Sequence, residues 1–137
     1  MSTYLEYYNE TIAPSLQAID LFLKTNKKAI IDKNMVSELL DISLNEINAL
    51  MRALGLSQID QVSFFTIMQY GSSSICKLFA RELQRKLPHF YSFHDISYIY
   101  EIPYETIVEA AQKAELTSIT NQNIHTLFSN IDLVSNH

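Results

Sequence analysis

The chain has 137 residues, 47% of them apolar and 18% charged, with a formal net charge of −5, two glycines, three prolines and one cysteine. That balance excludes a disordered segment, which carries more charge and less apolar surface, and an all-β protein, which needs more turn glycine and proline. It also excludes a protein whose whole surface grips nucleic acid, since that binding depends on Lys and Arg releasing counterions. The charge is uneven: residues 21 to 90 hold nine Lys/Arg against six Asp/Glu, whereas residues 91 to 137 hold Lys113 alone against six acids.

In chain order, Tyr4, Leu5, Tyr7 and Tyr8 predict a helical arm over residues 1–11 whose crowded tyrosines must dock on the body or on a neighbouring subunit. Pro14 suits the first turn of a helix running through Leu16, Ile19, Phe22 and Leu23 and closed by Asn26, Lys27 and Lys28. Asp32 is the next N-cap, with Ile31 as the apolar half of a staple. Ser43 and Glu46 form a capping-box pattern for a helix over about 44 to 54, which Gly55 ends. A further helix follows Asp60, through Val62 to Met68. The spacing then predicts one helix over Ser72 to Leu87, with Ile75, Leu78, Phe79 and Leu83 inward and Pro88 closing it. Phe64, Phe65, Phe79, Phe90, Phe93 and Phe128 occupy apolar positions of the pattern and are assigned to the core.

Beyond this point the sequence repeats. A shift of 60 residues lays Val36, Leu39, Leu40, Ile42, Ile47, Leu56, Ile59 and Ile67 on Ile96, Ile99, Tyr100, Ile102, Ile107, Leu116, Ile119 and Leu127. Each apolar position meets an apolar one, Tyr91 and Ser92 fall where Ile31 and Asp32 start a helix in the first copy, and Pro103 takes the first helical position of the next. A last apolar run, Ile124 to Phe128, follows Thr120. The reading is an all-α protein of two tandem modules, residues 12–71 and 72–131, with an N-terminal helical arm at 1–11 and a tail at 132–137.

Val36 and Leu40, then Ile42, then Ile47 and Leu50, have the spacing that locks two helices around a tight corner, with the small Ser37 at their crossing. Ile96, Ser97, Tyr100, Ile102, Ile107 and Ala110 repeat it. The stretches VSELLDISLNEINALMRALGL and ISYIYEIPYETIVEAAQKAEL resemble the helix-turn-helix of bacterial regulators in general. They depart from it in having Asp41 and Glu101 where the turn usually carries glycine.

The resemblance implies that the second helix of copy one enters the major groove of double-stranded DNA, presenting Ser43, Asn45, Asn48 and Arg52 to bases, with Lys27, Lys28 and Lys33 on phosphates. Copy two shows Tyr104, Glu105, Val108 and Glu109 on the corresponding face. With Glu101, these acids make a stripe suited to protein contact rather than to phosphate. A basic stripe of Lys77, Arg81 and Arg85 matches it, either within the chain, across a homodimer, or along a nucleic-acid backbone.

No catalytic set is present. The histidines at 89, 94, 125 and 137 have no metal-ligand spacing, two glycines leave no phosphate loop, and Ser72 to Ser74 have no base beside them. Cys76, flanked by apolar residues, reads as a buried thiol that suits a reducing compartment. No bilayer-length apolar run or secretory leader is seen. The expectation is a cytoplasmic, non-enzymatic regulator without cofactor or metal. It binds DNA through the first module and a protein, or itself, through the second; the alternative is a protein adaptor in which neither module binds DNA.

Overall fold

The computed structural model describes residues 2–85 and 90–133. The fold is all-α, with one two-residue strand pair among the described residues. His89, His137, Pro88 and the tail beyond Leu133 lie outside them. Two compact units are formed, one from residues 13–83 and the other from 1–12 together with 84–137. This division departs from the 12–71 and 72–131 modules of the repeat. The helix after the first module packs on that module, and the N-terminal arm packs on the second.

The unit of residues 13–83 contains α2 (Ala13–Thr25), α3 (Lys33–Leu40), α4 (Leu44–Leu54), α5 (Gln61–Tyr70) and α6 (Ser74–Glu82). Each start after α2 follows from a side chain able to satisfy the free N–H groups of a first turn. Asp32 Oδ1 accepts from Asn34 N, Ser43 Oγ from Glu46 N, and Ser73 Oγ from Cys76 N. Asp60 Oδ1 accepts from both the N–H and the hydroxyl of Ser63, and these bonds hold its carboxyl below the usual carboxylate range. The core is built on Val36, Leu40, Ile47, Phe64 and Ile67, all at 0% exposure, with Ile31 donating its N–H to Ile59 O at 2.7 Å across the module.

Two expectations are corrected here. The helix after Ser72 stops at Glu82, not Leu87, so Leu83 is 52% exposed rather than inward and Arg85 lies beyond the helix. Glu46 does not complete a capping box with Ser43; its carboxylate accepts from Ser72 N at 2.7 Å and Ser72 Oγ at 2.6 Å. That pair ties the start of α4 to the α5–α6 turn, where Gly71 is required by space: a Cβ there would stand 2.5 Å from Cys76 Sγ. Gly71→Ala is therefore expected to lower stability by about 1–3 kcal/mol through overpacking. Cys76→Ala should restore part of that loss in urea titrations, because the sulfur is then gone.

The other unit contains α1 (Tyr4–Tyr7), a π-helical turn (Tyr8–Ile12), β1 (Phe90–Tyr91), α7 (Phe93–Tyr100), α8 (Tyr104–Lys113), β2 (Ile119–Thr120) and α9 (Ile124–Ser129). β1 and β2 are antiparallel, with Phe90 opposite Thr120 and Tyr91 opposite Ile119. This is the 60-residue counterpart of the Ile31–Ile59 bond in the first copy. The arm docks on its own chain: Tyr4 is buried, and its ring lies 4.7 Å from that of Phe128, with Tyr8 at 5.4 Å and Tyr100 at 5.0 Å from the same ring. Backbone bonds from Tyr4 N to Ile131 O and from Leu133 N to Ser2 O hold it there. Residues 132 and 133, expected as the start of the tail, are thus paired with the arm. Of the six core phenylalanines expected, Phe64 and Phe128 are buried and Phe79 and Phe93 half-buried, whereas Phe65 and Phe90 are exposed.

The two bent helix pairs match closely. Asp41 and Glu101 both adopt the left-handed conformation at φ 55° and 56°, and Ser37 and Ser97 each donate a hydroxyl hydrogen bond at 2.6 Å to Ile42 O and Ile102 O. Ser37 is therefore needed for its hydroxyl as well as its size. After the second helix of each pair, Gly55 (φ 70°) and Glu115 (φ 57°) hold the same conformation, and Leu56 N and Leu116 N donate at 2.8 Å to Met51 O and Ala111 O. Left-handed backbone strains a residue with a Cβ. Glu115→Gly is accordingly expected to raise stability by about 0.5–1 kcal/mol, set by that relief against a freer unfolded chain; a higher urea midpoint with an unchanged slope is the check.

Candidate nucleic-acid interface

Helix α4 buries Ile47 and Met51 and half-buries Leu50 and Leu54. At 3.6 residues per turn the opposite face carries Asn45, Asn48, Ala49 and Arg52, all exposed. Asn45 and Asn48 each offer an amide donor and acceptor, Arg52 offers paired donors, and the small Ala49 between them permits close approach. Ser43 stands at the head of this helix, where its Oγ is engaged as the cap acceptor. Glu46, on the same helix, is half-buried, and its carboxylate is engaged by Ser72.

Among the expected phosphate contacts, Lys33 is brought to the face: its Nζ donates to Asn48 Oδ1 at 2.9 Å, joining the start of α3 to α4. Lys27 and Lys28 are exposed in the α2–α3 loop. There the Asn26 side chain accepts from Lys28 N and donates to Lys28 O, fixing the turn. No side-chain bond joins either lysine to α4 among the described residues. Beside this loop is a groove of about 370 Å³, lined in part by Phe22, Lys28, Ile30, Met35 and Glu38. Sequence reasoning missed it; the available signal was the apolar pair Ile30 and Met35, which the helical pattern leaves facing solvent.

In copy two, α8 places Glu105, Val108, Glu109 and Gln112 where α4 has Asn45, Asn48, Ala49 and Arg52. Val108 is half-buried, and Glu105 and Glu109 are exposed. Tyr104 stacks on His94, ring centroids 4.3 Å apart and 18° from parallel. Glu101 belongs to the left-handed turn, so the helical part of the acidic stripe is Glu105 and Glu109. α8 also lacks a side-chain cap, because Pro103 occupies the cap position itself rather than the first helical position expected of it.

The basic stripe is not one surface. Lys77 is exposed and Arg81 half-buried on α6, whereas Arg85 lies past its end, with its guanidinium 3.9 Å from the centre of the Tyr91 ring and donating to Phe90 O at 3.3 Å. That placement gives Arg85 a structural duty at the strand pair. The Cys76 thiol is buried, and burial pushes its pKa up, which disfavours the reactive thiolate.

Comparison with family models, with curated proteins and with solved structures finds no match to this chain. Among the described residues no helix is long and apolar enough to cross a membrane.

Proposed function

We propose that this protein is a non-enzymatic, cytoplasmic regulator of transcription that binds double-stranded DNA through the outer face of α4 and contacts protein, or itself, through the acidic face of α8. The observation that carries this reading is the exposed row of Asn45, Asn48 and Arg52 on the second helix of a tightly locked bent pair, with Lys33 at its edge and the Glu46 carboxylate of the same helix engaged by Ser72. Asparagine and arginine suit base edges or phosphate, and a rigid helix pair holds them for groove entry.

Fluorescence anisotropy with duplex DNA at two salt concentrations tests it. Retention that falls steeply with salt is expected, and Arg52→Ala should weaken it by about tenfold, the loss of one good base or phosphate contact. Absence of retention even at low salt overturns the reading. One observation favours the second reading, an adaptor without DNA: Lys33 and Asn48 are bonded to each other, so part of the face already has its polar groups engaged. The same titration separates the two.

A further inference from the structure

We infer that the outer face of α8 docks on the outer face of α4 of a second copy of this chain, so that self-association and DNA compete for one surface. This rests on the proposed function and names both the partner and its consequence.

On α4 Asn45, Asn48, Ala49 and Arg52 are exposed, and on α8 Glu105, Glu109 and Gln112 are exposed beside the half-buried Val108. Among the described residues Glu105, Glu109 and Arg52 take part in no ion pair. The charge difference is borne by whole units: residues 13–83 have seven Lys/Arg and seven Asp/Glu, while the rest of the chain has three and eight. Complementarity extends to polar groups, since Asn45 and Asn48 have amide donors for carboxylates and Ala49 leaves space opposite Glu109. At the head of each helix stands an exposed apolar residue, Leu44 on α4 at 42% and Tyr104 on α8 at 40%, the latter braced by His94.

In a two-fold dimer of this kind the two contacts are equivalent. α8 of each copy lies on α4 of the other, and the assembly closes as a dimer without exposing an unmatched face. Exposed ion pairs contribute little individually, so such a dimer is reversible and sensitive to salt, with the charges fixing orientation more than strength. The surface it covers is the one offered to DNA. Phosphates and the Glu105/Glu109 carboxylates are alternative anions for Arg52 and Lys33, and the acidic module serves as a built-in competitor.

Sedimentation velocity on the full chain tests the docking without DNA. Wild type is expected to dimerise at low salt and dissociate as salt rises. The reversed pairs E105K/E109K and K33E/R52E should each weaken self-association about tenfold or more. An equimolar mixture of the two should regain the dimer, because both contacts again join opposite charges. The single changes Glu109→Lys and Arg52→Glu repeat the test with less perturbation, and circular dichroism confirms native helicity for every variant. A wild type that is monomeric at all salts, reversed variants that dimerise like wild type, or a mixture that stays monomeric overturns the docking. Adding duplex DNA to the wild-type dimer should release monomer–DNA complexes, and a dimer that binds DNA intact overturns the competition. Failure of monomeric E105K/E109K to bind DNA at low salt overturns the DNA reading, and the competition with it, while leaving the docking measured by sedimentation in place.

Discussion

Phe128→Ala is expected to lower stability by about 3–5 kcal/mol and to release the N-terminal arm. Phe128 is at 0% exposure, and its ring is the common neighbour of Tyr4, Tyr8, Tyr100 and His125. Truncation removes both the buried surface of the ring and the edge-to-face contacts of three aromatic partners. α1 is four residues long, too short to persist as an isolated helix, and the arm's other attachments include ring contacts of Tyr4 and Tyr8 with Tyr100, of Tyr8 with His125, and backbone bonds at Ser2 and Tyr4. Urea denaturation gives the stability, and amide exchange at residues 4 to 8 reports the arm. Protection there that survives the substitution would show that the contacts with Tyr100 and His125 and the backbone pairing with residues 131 to 133 suffice without Phe128.

Ile47→Ala and Ile107→Ala are expected to cost about 2–5 kcal/mol each, because both side chains are at 0% exposure and pin the second helix of a bent pair to the first. The losses should differ in a stated direction. Copy one surrounds its isoleucine with Leu50 and Met51, whereas copy two has Ala110 and Ala111 at those positions. Short neighbours reach less far into a cavity, so Ile107→Ala should fall at the higher end of the range and Ile47→Ala, where methionine can shift to fill space, at the lower. Equilibrium denaturation of both variants beside wild type decides this, and the reverse order would mean that neighbouring side-chain length does not set the penalty here.

The bent pairs were legible in the sequence because burial at helical period leaves a strong trace. Val36, Leu40, Ile42 and Ile47, and their partners 60 residues on, are all buried apart from the half-buried Tyr100. The turn was legible as a position, and the glycine usual there pointed to a left-handed backbone, which Asp41 and Glu101 both adopt. Glu115 was missed, although the position of Gly55 in the first copy pointed to it.

Other features depended on contacts distant in sequence. The strand pair joins residues about 30 apart through two-residue runs too short to show alternation. Glu46 sits at capping-box spacing from Ser43, yet a hydroxyl and an N–H from Ser72, 26 residues away, outcompete the local bond. The basic stripe failed because periodicity continues past the point where α6 stops: Leu83 and Arg85 fit a helix that ends at Glu82. On α4 the outer face followed from the inner one, and so Asn45, Asn48 and Arg52 were placed from the sequence, but the Lys33–Asn48 bond was not.

The pairing of Ser2, Thr3 and Tyr4 with Ile131, Asp132 and Leu133 has a consequence for biosynthesis. Tyr4 cannot find its pocket until Phe128 and Ile131 have followed it through the ribosome, a delay on the order of ten seconds at ordinary translation speeds. During that interval residues 13–83 hold every element of their own unit and are free to fold, while the tyrosines at 4, 7 and 8 wait for their partners. A chaperone that shields nascent aromatic segments would therefore meet Tyr4, Tyr7 and Tyr8 while the unit they belong to is still incomplete.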